Sequence, residues 1–294
     1  MSVRILQGDC REVLKTLPDE SVHCVVTSPP YWGLRDYGVD GQIGLDATPD
    51  AYVASMVEVF REARRVLRDD CTIWLNIGDS YSNAGTRQGD RGGSITKEIN
   101  AHRKVGSGYR PRVVGLKNKD LIGMPWRVAF ELQADGWYLR QDIVWSKPNC
   151  TPEGRVSDRC TKSHEYIFLL TKSANYYFDI DAIAENVSDI PNVEISGEEY
   201  FSTRNKRSVW TVTTKPFSGA HFATFPPDLI EPCILAGCPV GGIVLDPFGG
   251  AGTTGLVADR HGRDAILIEL NPEYAEMARQ RITGDAPLFA EVII

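Results

Sequence analysis

The sequence predicts an α/β fold built on a mostly parallel sheet, and three observations lead there. Short apolar runs alternate with longer segments of helical period, the pattern of strands joined by crossover helices. Three of the apolar runs end on residues suited to a ligand: Asp9, residues 28–32 and residues 246–255. In parallel sheets, ligands lie beyond the carboxyl ends of the strands. A glycine cluster also opens a helix late in the chain, so the strands that complete its sheet must come from the N-terminus.

Taken in order, residues 3–6 form an apolar strand that ends at Gly8-Asp9, and residues 11–17 read as a helix. Residues 22–27 form a second strand, stopped by Pro29 and Pro30. Pro49-Asp50 can open a helix that reaches residue 67, with Val53, Met56, Val57, Phe60 and Ala63 at helical spacing. Residues 72–77 give a third strand, ending at Gly78-Asp79. Residues 80–119 are rich in Gly, Arg, Ser and Asn and show no period; so long an irregular segment usually carries function. A helix over 125–134 and strands over 138–145 and 165–171 follow, then a polar, mixed stretch over 183–207. The chain closes with a strand over 243–246, a helix over 253–261, a strand over 265–270 and a helix over 272–282.

The 294 residues, 42% of them hydrophobic, fit one large domain or a domain with an insertion. No apolar run reaches the ~18 residues of a membrane span, and the N-terminus lacks the apolar stretch of a signal peptide, so the expected location is cytoplasmic. Seven scattered cysteines without a C-x-x-C pair argue for reduced thiols and against a disulfide framework or structural zinc. No ligand cluster for any metal is visible. Net charge is −7, yet residues 80–119 hold nine Lys or Arg against two acids. One basic surface on an acidic body suits a polyanion, although a charge run by itself reads as a solvated loop.

Residues 243–255 run strand, glycine turn, helix start. Gly250, Gly252 and Gly255 have G-x-G-x-x-G spacing, and Glu269 follows 19 residues after Gly250 at the end of the next strand. Glycines let backbone approach a ligand, the helix start favours an anionic group, and the acid can bind ribose hydroxyls. Taken alone, this also fits a dinucleotide site. If the strand over 3–6 lies beside the strand over 265–270, Asp9 becomes the acid of the next strand end, and the sheet is circularly permuted.

Ser28-Pro29-Pro30-Tyr31 answers a different need. The prolines hold the chain extended and stop the ladder. The Pro29 carbonyl and the Ser28 oxygen then form two neighbouring acceptors, which suit a primary amine with two hydrogens. Tyr31 offers a flat face for a planar ring, and Trp32 a second. Such a holder fits the exocyclic amine of cytosine or adenine, whose lone pair would be localised for attack on a sulfonium methyl.

With these motifs together, the chain resembles the amino-methylating DNA methyltransferases, in the motif order of their permuted β group. The resemblance implies a class I methyltransferase fold, Rossmann-like and circularly permuted, with inserted DNA-recognition segments. It implies S-adenosyl-L-methionine as cofactor, held by Asp9, Cys10, Phe225, Asp246, Pro247, Phe248, Gly249, Gly250, Ala251, Gly252, Thr253, Thr254 and Glu269. Ser28, Pro29, Pro30 and Tyr31 become the catalytic motif, and residues 140–149 and 164–168 resemble segments lining the target-base pocket. The S-P-P-Y form goes more often with cytosine N4 than adenine N6 in that family, and the target base is flipped out of the duplex. Residues 1–79, 120–180 and 215–294 are expected to form the catalytic domain, 80–119 a basic inserted loop, and 181–214 a target-recognition segment. Double-stranded DNA is the expected partner, contacted by Trp32, Lys97, Arg103, Lys104, Arg110, Arg112, Arg204, Lys206 and Arg207, mostly at phosphates. A cognate restriction endonuclease and a solitary host or phage enzyme stay equally open.

Other readings keep a place at this stage. A cytosine-C5 methyltransferase would use a nucleophilic cysteine, and Pro232-Cys233 supplies the dipeptide in an apolar, helical stretch. A dinucleotide oxidoreductase fits Gly250–Gly255 but leaves the two prolines unexplained. An enzyme acting on RNA or on a protein amide could use the same amine holder. A non-enzymatic DNA-binding module would have no reason to keep both strand-end motifs.

Overall fold

The computed structural model describes residues 1–82, 115–150, 156–186, 203–215, 224–285 and 291–293. Its strands are β1 (Ser2–Gln7), β2 (Val22–Thr27), β3 (Leu67–Ile77), β4 (Tyr138–Ser146), β5 (His164–Thr171), β6 (Glu185–Asn186), β7 (Thr203–Arg204), β8 (Val209–Thr211), β9 (Ile243–Asp246), β10 (Asp264–Glu269) and β11 (Glu291–Ile293). Nine of them form one sheet in the order β11-β1-β10-β9-β2-β3-β5-β4-β8, and β6 pairs with β7 apart from it. The permutation read from the sequence is present: Val3 pairs with Ala265 and Gln7 with Glu269 in a parallel ladder. The sheet departs from parallel at β5, which runs antiparallel to both β3 and β4. That reversal brings the start of β5 to the same rim as the ends of β3 and β4.

Helices cover both faces, as buried parallel strands require. On one face lie α1 (Cys10–Val13), α2 (Pro49–Val66) and α3 (Met124–Ala134), sharing a core with Val25, Ile73, Leu75 and Ile268. On the other lie α4 (Pro227–Gly237), α5 (Thr253–Arg260) and α6 (Pro272–Asp285), packed on Cys24, Val26, Trp74 and Leu267. Val25 and its neighbours Cys24 and Val26 thus point to opposite cores, so β2 reads as an unbroken apolar run. Among the described residues, no helix is long and apolar enough to cross a membrane.

Two elements differ from expectation. The helix expected over 11–17 is one α turn followed by a 3-10 turn, Leu14–Thr16, because Leu17 precedes a proline and adopts extended backbone. Strand β3 begins at Leu67 rather than at residue 72, since the exposed Arg68, Asp69 and Asp70 break the apolar pattern without ending the strand. Strands β8 and β11 are edge strands of three residues each, too short to register as periodicity.

Candidate active site

The carboxyl ends of β1, β2, β3, β4, β9 and β10, with the start of β5, border one cavity of about 780 Å3. That size suits a single small-molecule site. Its two halves are lined by different motifs.

In the first half, the chain turns at the end of β9 through Pro247, Phe248 and Gly249 to α5. Gly250 and Gly252 take left-handed conformations, with φ of 50° and 75°. A Cβ on Gly252 would stand 2.8 Å from the Ala278 Cβ, so glycine is needed there for both conformation and space. Gly249, Gly250, Ala251 and Thr253 line the cavity; Gly252 and Thr254 support the loop from behind. The half-buried Glu269 accepts from the Gly250 and Asn271 amides, both at 2.8 Å. Burial pushes its carboxyl up from the ordinary value, despite those bonds.

Asp246 is buried and does not present a free carboxylate. It accepts from the Thr27 hydroxyl at 2.6 Å, the Thr254 hydroxyl at 2.6 Å and the Phe248 amide at 3.0 Å. Loss of water pushes its carboxyl up to about 6, against these three bonds. The side chain therefore ties the end of β2 to the glycine loop, one residue before Ser28. Asp9 caps α1 through the Arg11 amide and pairs with the Arg11 guanidinium at 2.5 Å. Burial acts to raise its carboxyl, but Arg11 outweighs that and holds it below the usual range. Cys10 lines the cavity with a buried thiol pushed up to about 12 by desolvation, so it stays protonated. Phe225, Tyr37 and Tyr274 complete the wall, the two tyrosines in edge contact with centroids 6.3 Å apart.

In the second half, Ser28 and Pro30 are half-buried and Pro29 is buried at the end of β2. The Pro30 carbonyl accepts from the Tyr52 hydroxyl at 2.9 Å; among the described residues the Pro29 carbonyl has no protein donor. The Tyr31 hydroxyl donates to Glu165 Oε2 at 2.8 Å and lies 3.3 Å from Asn76 Oδ1 and 3.5 Å from Ser28 Oγ. Its ring rests on Gly78, where a Cβ would come within 2.6 Å of Cε2. Burial, then the Glu165 charge, pushes the phenol well above its ordinary range, so it stays a donor. Glu165 also pairs with the Lys147 ammonium, which lies 4.0 Å from the centre of the Trp145 ring.

Sequence reasoning brought the segments over 140–149 and 164–168 to this pocket. From them Trp145, Lys147, His164 and Glu165 line the cavity, while Phe168 belongs to the core. Asn76, Gly78, Lys147 and Glu165 were missed as individual residues. The available signal was a charged residue on either side of the β4–β5 connection, Lys147 just after β4 and Glu165 at the start of β5. Asp79 serves the fold, accepting from the Gly123 and Met124 amides at the start of α3, both at 3.1 Å.

Of the expected DNA-contacting residues, the four that are described, Trp32, Arg204, Lys206 and Arg207, do not line the cavity. Trp32 is 4% exposed, packs in the core and donates to the Asp46 carbonyl at 2.8 Å; its position next to a strand end gave no hint of this inward turn. Arg204 and Arg207 both pair with Glu185 at 3.0 Å, and Lys206 lies 5.3 Å from the centre of the Trp210 ring. Lys97, Arg103, Lys104, Arg110 and Arg112 lie outside the described residues. Cys233 is fully buried in α4, away from the cavity, with its thiol raised by desolvation, which leaves the C5 reading without a nucleophile there.

Known proteins agree with this geometry. The chain is 51% identical to the Type II methyltransferase M.Cfr9I of Citrobacter freundii, over 96% of this chain and 88% of that protein. It is also 51% identical to the Type II methyltransferase M.SmaI of Serratia marcescens, over 96% of this chain and 91% of that protein. Among solved structures, TTHA0409 from Thermus thermophilus, complexed with S-adenosyl-L-methionine, superposes with a TM-score of 0.63 at 25% identity, covering 99% of this chain and all of that one. The cytosine-N4-specific PvuII DNA methyltransferase superposes with a TM-score of 0.67, covering 99% of this chain and 96% of that one; at 19% identity the likeness speaks for the class I methyltransferase fold. The N6/N4 DNA methylase family matches residues 22–280, and with relatives this close over nearly the whole chain, the protein belongs to that family.

Proposed function

We propose that this DNA methyltransferase transfers a methyl group from S-adenosyl-L-methionine to the exocyclic N4 amine of cytosine in duplex DNA. The observation that carries the reading is the single cavity joining the glycine loop to Ser28 and Pro29, with the two halves tied by Thr27, Asp246 and Thr254. The first half fits the cofactor. Its left-handed glycines leave backbone open to close approach, and Glu269 stands at the strand end where ribose hydroxyls can meet a carboxylate. Gly249, Gly250, Ala251, Phe225 and Glu269 would hold it. The bound cofactor supplies an electrophilic methyl group on a sulfonium.

The second half prepares the nucleophile. The two hydrogens of the amine are donated to the Ser28 hydroxyl and the Pro29 carbonyl, which favours a pyramidal nitrogen with a localised lone pair. The amine lone pair would form the nitrogen–carbon bond as the carbon–sulfur bond breaks, leaving a neutral thioether, and the methylated nitrogen would release its extra proton to solvent water. Correct alignment of the reacting atoms supplies most of the rate. Tyr31 stacks on the flipped base. Cytosine is favoured over adenine by the S-P-P-Y form of the motif, as the family resemblance implies. The basic residues over 80–119 and 204–215 contact phosphates, and a cognate restriction endonuclease is the companion that the Type II names of the relatives suggest.

The test is nucleoside mass spectrometry on plasmid DNA from a methylation-deficient host expressing the chain, beside a Ser28→Ala, Tyr31→Ala control. N4-methylcytosine that disappears in the control is the expected result. N6-methyladenine would overturn the choice of base. No methylated base, with cofactor binding intact, would move the substrate to RNA or a protein amide.

A further inference from the structure

Glu165 occupies the centre of the base-side cluster. Its Oε2 accepts from the Tyr31 hydroxyl at 2.8 Å and lies 3.5 Å from Asn76 Nδ2, while Oε1 takes the Lys147 ammonium. The Glu165 and Lys147 side chains are only 17% and 16% exposed. An ion pair this sheltered is a poor source of stability, because desolvation offsets its attraction. The pair sits at a rigid place, however. Trp145 is in register with Glu165, and the Lys147 amide donates to the Ser163 carbonyl at 2.8 Å, so both partners are fixed by the β4–β5 hairpin.

Tyr31 stands outside the strand ladder, with its carbonyl accepting from the Leu34 amide at 3.3 Å and its ring against the core. It lies past the end of β2, where two prolines have ended the ladder. Its ring is fixed on one side by Gly78, and its hydroxyl by Glu165 and Asn76. A two-torsion aromatic side chain held at both places is a defined platform; without Glu165 the hydroxyl keeps, among the described residues, only the longer contact to Asn76 Oδ1, at 3.3 Å, as a side-chain acceptor on this rim.

We propose that Glu165, braced by Lys147, is a positioning residue that sets the Tyr31 ring for stacking on the target base. The inference rests on the methyltransferase reading above but not on which amine is methylated. Glu165 acts through the Tyr31 hydroxyl, so its effect falls on the transfer step and not on cofactor affinity.

The test is a double-mutant cycle on the full chain, using plasmid DNA from a methylation-deficient host. Single-turnover methyl transfer and the Kd for S-adenosyl-L-methionine are measured separately for Glu165→Ala, Glu165→Gln, Tyr31→Phe and the two double variants. Glu165→Ala is expected to slow transfer by about 30-fold, as misplacement of a reacting group does, with cofactor Kd within about twofold of wild type. Glu165→Gln keeps a carbonyl acceptor for the phenol and is expected to recover most of the rate. In the Tyr31→Phe background, either Glu165 change should cost little more, since the coupled contact is already gone. Fully multiplicative losses, or a Glu165→Ala rate within about threefold of wild type, would overturn the proposal. If Glu165→Ala does not fold, Tyr31→Phe removes the same contact from the other side: transfer slowed by about 30-fold with cofactor Kd unchanged supports the proposal, and a rate within about threefold of wild type overturns it. Should the wild-type chain methylate RNA instead, the DNA reading fails and the same cycle on RNA still decides the role of Glu165; a protein amide as substrate offers no base to stack and overturns both.

Discussion

Gly78→Ala places one methyl group against the Tyr31 ring. Gly78 has no left-handed backbone, so alanine is permitted by conformation, and the three nearest atoms its Cβ would meet all belong to the Tyr31 ring. The new Cβ would lie 2.6 Å from Cε2, 3.1 Å from Cδ2 and 3.2 Å from Cζ. To restore a carbon–carbon contact of about 3.5 Å, the ring must retreat by roughly 0.9 Å. Its hydroxyl is tethered to Glu165 at 2.8 Å, so a shift of that size strains or breaks the bond. Overpacking of this kind costs about 1–3 kcal/mol of stability. A misplacement near 1 Å in a reacting assembly costs about 100-fold in rate, which is about 2.7 kcal/mol. The expected outcome is a folded variant that binds S-adenosyl-L-methionine normally and transfers methyl about 100-fold more slowly. Calorimetric cofactor binding and single-turnover transfer to plasmid DNA check the two halves separately. A variant that transfers within about threefold of wild type would refute the claim that the Tyr31 position limits the reaction.

Two further outcomes follow from the cofactor half. Asp246 has a folded-state pKa of about 6, raised above its unfolded value by desolvation, so the folded state binds more protons between about pH 4 and 6. Stability should fall as pH rises through that window, by about 3 kcal/mol for a shift of this size, and Asp246→Asn should flatten the slope; identical melting-temperature profiles for the two proteins would contradict it. Gly252→Ala introduces a side chain at φ 75° and 2.8 Å from the Ala278 Cβ, and should cost about 2–4 kcal/mol in urea unfolding together with cofactor affinity.

The sequence by itself determined the scaffold. Apolar runs separated by helical segments specify strands and helices because each element must bury one face, and β2, β9 and β10 are buried on both. The glycine turn between β9 and α5 marked one half of the sheet, and β1 pairs with β10 beside it, as the permuted motif order implies. Ser28, Pro29 and Pro30 were legible because proline limits the backbone whatever its surroundings. Side-chain destinations were not legible. Asp246 borders the cavity as its motif implies, but that its carboxylate is engaged by Thr27 and Thr254, 219 and 8 positions away, could not be read from the sequence. Trp32 turned into the core, and Arg204 and Arg207 found Glu185. Glu165 meets Tyr31, and Lys147 meets Glu165, only because β5 reverses direction beside β3 and delivers its first residues to the cavity rim. Local propensity is a property of neighbouring residues, whereas the partner of a polar side chain depends on which strands lie together, and only the tertiary structure decides that.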